Sequence, residues 1–146
     1  MPGAKAREVG DAMRAYVEAA HRDVTVAITA RLIELCPVDT GHARANFVPG
    51  IGEPPVGEQP SGAQQAGIAA IAKWKLGDGE INITNNVPYI DRLIAGSSQQ
   101  APAGWDLRAI DFGVQETQQK YDGLTITASS GVPGLVGPSV TITASE

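Results

Sequence analysis

Apolar residues recur at steps of three and four through the first quarter of the chain: Val9, Met13, Tyr16 and Val17, Ala20, Val24, Ala27 and Ile28, Leu32 and Leu35. That spacing paints one continuous stripe and predicts a helix over 5–35, roughly 45 Å long. Opposite charges four residues apart, Arg7 with Asp11 and Glu18 with Arg22, would each add roughly 0.3 kcal/mol on its other faces. A small domain has too little core to cover so long a stripe. Either the helix bends into two, or its Val9 to Tyr16 end packs on a neighbouring subunit. Pro37 lacks an amide donor and its ring collides with the preceding turn, so the helix must end at about Cys36.

After this stop the period changes. Asp39 and Thr40 are suited to folding their side-chain oxygens onto nearby amides, and Gly41 accepts positive φ without steric cost. Ala43, Ala45 and Phe47 then alternate with Arg44 and Asn46, which predicts a strand start with Arg44 and Asn46 on one face. Between 49 and 60 lie four prolines and three glycines. Breakers at that density predict an extended loop without regular structure, either a solvated loop or, in a ring subunit, an arm against the next copy. Ser61 is placed to cap a helix running through Ile68, Ile71 and Ala72 to about Lys75, ending near Gly77. A turn at Asp78-Gly79 leads into a strand over 80–84 with Ile81 and Ile83 inward, and Asn85-Asn86 ends it.

Pro88 opens a short helical segment with Tyr89, Ile90, Leu93 and Ile94 on one side. A loop from Gly96 to Gly104 precedes a last helix, Trp105 to Tyr121, with Leu107, Ile110, Val114 and Tyr121 at helical spacing and Trp105 as a packing anchor. The segment Leu124-Thr125-Ile126-Thr127-Ala128-Ser129 is echoed by Val140-Thr141-Ile142-Thr143-Ala144-Ser145, both alternating and β-branched. They predict a hairpin joined by a long loop over 131–138, which must join the earlier strands or pair with another chain, because an isolated hairpin is marginal in water. The expected fold is α+β: a long N-terminal helix and a C-terminal helix packed on one face of a small, mostly antiparallel sheet. The domain is expected over 1–122, with the hairpin over 123–146 as an extension.

Composition narrows the function. At 146 residues the chain is one ordinary domain, large enough for a core without staples. Its apolar share of 42% includes no run long enough to cross a bilayer, and Met1 to Lys5 leads into a charged helix without an apolar signal core. The chain is therefore expected to be soluble and free of membrane. The single Cys36 excludes an internal disulfide and fits a reducing cytoplasm. A net charge of −5, with 11 basic residues scattered among 16 acidic ones, argues against a surface built to neutralise phosphates. His21 and His42 are the only histidines, no Cys/His cluster accompanies them, and no glycine-rich phosphate loop is present. No metal or cofactor is expected.

Two catalytic arrangements can be drawn. Asp39-Thr40-Gly41 would be half of an aspartic dyad if a homodimer supplied the second carboxylate, but such loops follow an apolar strand and this one follows a helix broken by proline. Cys36 with His42 would be a nucleophile and base of a small hydrolase, yet Cys36 falls where the helix stripe meets the loop, a place for a small buried side chain.

Four pieces stand in order along the chain: Pro37-Val38-Asp39-Thr40-Gly41; Arg44-Ala45-Asn46-Phe47; Asn85-Asn86-Val87-Pro88-Tyr89; and Gly96-Ser97-Ser98-Gln99-Gln100-Ala101-Pro102. Over about residues 30–110 this order resembles the neck and tail-completion proteins of long-tailed bacteriophages, including the minor tail protein Z group, although Ile94 stands where that family often has a glutamate. The resemblance implies a structural virion protein and no enzyme. Several copies would form a ring, six-fold in preference to twelve-fold, joining the tail tube to the head–neck connector, with other neck and tail-tube proteins as partners. DNA would pass through the channel without sequence-specific binding, and assembly would take place in the host cytoplasm. A tail-terminator or head-closure ring shares this size and class. The residues then expected to bend and brace the subunit or its interfaces are Pro37, Asp39, Thr40, Gly41, Arg44, Asn46, Phe47, Asn86, Tyr89, Gly96, Ser98, Gln100, Pro102 and Gly104. Asp39 would accept a bond from Arg44 or from its own turn, Asn46 would satisfy backbone groups at the sheet edge, and Gln100, Ala101 and Pro102 would face the lumen or a neighbour.

Overall fold

A computed structural model of the chain describes residues 2–37, 41–96 and 103–143. In chain order the helices are α1 (Pro2–Leu35), α2 (His42–Ala45), α3 (Ala63–Ile71), α4 (Ile90–Ile94) and α5 (Trp105–Gln118). The strands are β1 (Val48–Ile51), β2 (Ile81–Thr84), β3 (Leu124–Val132) and β4 (Leu135–Ile142), forming one antiparallel sheet in the order β1-β2-β4-β3. The fold is α+β, as the periodicity predicts, and the C-terminal hairpin joins the sheet through the pairing of β4 with β2.

α1 is a single unbroken helix of 34 residues, about 50 Å long, so the length problem is not solved by a bend. From Ala20 onward its stripe is buried: Ala20, Val24, Ile28 and Leu32 pack against Trp105, Ala109 and Ile110 of α5. The two helices run antiparallel, with Tyr16 against Tyr121 at one end and Arg31 beside Phe112 and Glu116 towards the other. Gly113 sits where they cross: a Cβ there would lie 2.7 Å from the Cα of Ile28, so only glycine permits this approach. Ile83, Val136, Val140, Leu124 and Ile126 close the core from the sheet. A smaller cluster of Ile71, Trp74 and Ile81 lies under α3.

Several local expectations give way. Residues 43–47 do not start a strand; Ala43 to Ala45 lie in α2, so Arg44 and Asn46 share no strand face. Gly41 at φ 73° supplies the left-handed entry, and Ala45 N–H closes the turn on Gly41 C=O at 3.1 Å. Two periods of alternation fit a single helical turn as well as a strand. β1 instead begins at Val48 and runs into the breaker-rich segment, where Pro49 is tolerated because it stands on an edge strand. α3 begins after Gly62 at φ 90°, not under a Ser61 cap, and it ends at Ile71 because Trp74 turns in and donates to Gly79 C=O. Glu18 and Arg22 do not pair along α1. Glu18 accepts from Leu76 N–H and Arg22 donates to Trp74 C=O, so both fasten the loop after α3.

In α5 the buried face is Trp105, Asp106, Ala109, Ile110, Gly113 and Thr117, and Leu107 points to solvent. The helix ends at Gln118, three residues before Tyr121. The hairpin has no long loop. β3 and β4 continue to a tight turn at Pro133-Gly134, with Gly134 at φ 80° and a bulge between Ser129 and Val132.

Candidate functional site

The signature residues meet at the C-terminal end of α1. Pro37 leaves this helix after Cys36 N–H bonds to Leu32 C=O at 3.0 Å. The last carbonyls, which no further turn can satisfy, are taken by Arg44: its Nη2 donates to Glu34 C=O and Cys36 C=O, each at 3.2 Å, and its Nε to Cys36 C=O at 3.4 Å. A guanidinium at a helix C-terminus also meets the negative end of the macrodipole. The fork geometry explains why arginine serves here.

Asn46, just past α2, holds two segments together. Its Nδ2 donates to His42 C=O at 3.0 Å and its Oδ1 accepts from Gln59 N–H at 3.1 Å. It therefore serves α2 and the proline-rich loop, not the sheet edge. Asn86 donates to Pro55 C=O at 2.8 Å and Asn82 to Gly52 C=O at 2.8 Å. The proline-rich stretch is thus bound to the rest of the same chain at Gly52, Pro55 and Gln59, with the side chain of Val56 left in solvent. His42 lies 3.1 Å from Glu58 and beside the Tyr89 ring.

Phe47 packs edge-to-face on Trp105, whose indole N–H donates to Leu93 C=O, which ties the Arg44 to Phe47 piece to α4 and α5. Trp105 is completely buried, so the anchor role predicted for it holds. Gly104 at φ 84° starts α5, and Gly96 at φ 92° lies so close to Ala103 that a Cβ would stand 2.8 Å from its amide. The structure therefore brings Pro37, Gly41, Arg44, Asn46 and Phe47 together with Asn86, Tyr89, Gly96 and Gly104. Asp39, Thr40, Ser98, Gln100, Ala101 and Pro102 lie outside the described residues.

Sequence reasoning missed two partners of this cluster. Asn85 is buried, donates to Ala43 C=O at 2.7 Å and accepts from Val87 N–H at 3.2 Å. Gln64 donates to both Arg44 C=O and Phe47 C=O. The Asn85-Asn86 pair directly after a strand was the available signal for the first; one of two adjacent glutamines in a helix gives none.

The chemistry of the cluster is that of a brace. The Cys36 thiol is buried and donates to Pro37 C=O, and desolvation pushes its pKa from 9.0 up to about 11 despite the Arg44 charge nearby. A nucleophilic cysteine needs the opposite shift. Among the described residues no group of three or more His, Cys, Asp or Glu side chains is arranged to hold a metal ion, and no helix is long and apolar enough to cross a membrane.

No protein-family model, curated protein or solved structure matches this chain. The most unusual surface of the chain lies at the other end of α1 from the brace. Residues 3–15 of α1 are all exposed, about 20 Å of helix beyond the body of the domain. Val9 is 67% and Met13 42% exposed there, on the stripe that becomes the core from Ala20 onward.

Proposed function

We propose that this protein is a structural subunit of a bacteriophage neck or tail, a tail-completion protein whose copies form a ring between the tail tube and the head–neck connector. The observation that carries the reading is the α1 overhang: a straight helix that extends past its own core with Val9 and Met13 on the core-facing stripe. A bare amphipathic helix in solvent gains nothing from its apolar stripe, whereas a second copy that covers it does. The ordered signature motifs of the phage family add a second, independent support. Their residues here satisfy backbone groups and hold turns, which suits a part that must keep its shape under load. Other neck and tail-tube proteins are the further partners, in the virion and during assembly in the host cytoplasm, and an acidic chain with scattered basic residues suits a channel that lets DNA slide. A terminator or head-closure ring would use the same surfaces.

The hydrolase alternative has less support, because the Cys36 thiol is held protonated and buried. The test uses purified tail tubes lacking a collar. The protein should cap one tube end in negative-stain images, and Asp39→Asn should leave any hydrolytic background unchanged. Absence of tube binding together with a turnover lost in Asp39→Asn would overturn the reading.

A further inference from the structure

Three buried side-chain atoms have no hydrogen-bond partner among the described residues: His21 Nδ1, Asn82 Oδ1 and Asp106 Oδ1. Only the last belongs to an acid. Asp106 lies in the first turn of α5 and is 6% exposed. Removing a carboxylate from water is costly unless a cation or donors replace the lost solvation. The helix dipole favours an acid at this position but gives Oδ1 no bond.

Asp106 borders a cavity of about 260 Å³ together with Ile94, Leu107, Ser130, Val132 and Pro133. Leu107 is 56% and Val132 54% exposed, so two large apolar side chains left in solvent stand beside a buried acid. The complementary ligand carries a cation on an apolar stem and brings apolar neighbours to cover Leu107 and Val132.

The overhang of α1 has this chemistry. Lys5, Val9 and Met13 recur at steps of four, share one stripe and are all exposed. The overhang also lies at the correct end. Tyr16 meets Tyr121 just beyond the C-terminal end of α5, and its hydroxyl donates to Asp122 C=O, whereas Asp106 is at the other end of α5, about 20 Å away. The overhang points further outward still. A chain cannot close this contact on itself, and a surface at one end matched by a different surface at the other joins copies head to tail.

We propose that the Asp106 cavity of one subunit receives Lys5 of the next, with Val9 and Met13 laid over Leu107 and Val132. The contact rests on the ring reading and specifies its interface. It is tested by sedimentation velocity on the wild type, Lys5→Glu and Asp106→Asn, and by non-reducing gels on a Val9→Cys/Val132→Cys variant. Lys5→Glu lies on exposed helix, so folding is kept, and association should weaken at least tenfold. Asp106→Asn should weaken association while the free subunit melts close to wild type, because the carboxamide keeps the shape of the side chain and Oδ1 makes no hydrogen bond to lose. The double cysteine variant should give a ladder of covalent oligomers beyond the dimer, absent from either single variant. Wild-type association in both charge variants with no ladder would overturn this contact and leave the ring standing. A wild type that never associates would overturn the ring and the contact together.

Discussion

Arg44 holds three backbone bonds at a helix end that proline has cut short, and its removal would leave Glu34 and Cys36 carbonyls without those donors. Arg44→Ala should cost ~1–2 kcal/mol in urea unfolding, and Arg44→Lys should recover only part, since a point charge cannot reach both carbonyls as a fork does. Asn85 is buried more deeply, and Asn85→Ala should cost about 2–3 kcal/mol by stranding Ala43 C=O and Val87 N–H. Titration adds a check at both ends of the pH scale. Burial lowers the His21 pKa below 6.5, so the unfolded chain binds a proton there before the folded one, and stability should fall as pH drops below 6.5. Desolvation raises Cys36 to about 11, and desolvation with the Asp23 hydrogen bond raises Tyr121 to about 12. The folded state keeps protons that the unfolded state releases, so stability should also decline from pH 9 upward. Melting curves across pH should show both slopes, with the portion between pH 9 and 11 reduced in Cys36→Ala.

At the scale of elements, two glycines on helices make a matched pair. A Cβ on Gly113 meets Ile28 backbone at 2.7 Å, whereas one on Gly10 meets nothing within 4 Å. Gly113→Ala should destabilise by about 1–3 kcal/mol through forced separation of α1 and α5. Gly10→Ala should stabilise by about 0.5–1 kcal/mol through helix propensity alone. Equal effects in thermal denaturation would contradict this packing. The stripe of α1, the stop at Pro37, the β2 strand and the hairpin repeat were legible because each rests on a long or strongly signalled local pattern. The reading of 43–47 failed because five residues of alternation cannot separate a strand from one helical turn, and only the left-handed Gly41 decides it. The reading of 49–60 as a loop holds over 52–60 and fails at 49–51, because prolines forbid central strands but not an edge strand; asparagines from 46, 82 and 86 bond the loop at Gln59, Gly52 and Pro55. The Leu107 assignment failed because the close approach at Gly113 rotates the buried face of α5 onto Ala109 and Gly113, and no apolar periodicity announces a glycine seam.

At the scale of the whole molecule, the motifs that resemble the phage family and the surface proposed for assembly lie at opposite ends of α1. Arg44 satisfies the carbonyls where α1 ends, and packing along α5 sets the direction in which its other end projects. The signature residues legible in the sequence are thus the shape-setting ones, while Asp106 carried no signal because an acid in the first turn of a helix looks like ordinary capping. Val9→Glu with Met13→Glu should leave the circular dichroism and melting point of the free subunit unchanged and abolish its association. The central claim is most directly tested by native mass spectrometry of the wild type across a range of concentrations. The account predicts a closed species at a fixed multiple of the 15.1 kDa chain, six-fold in the preferred case. A species of one chain mass at every concentration would contradict it.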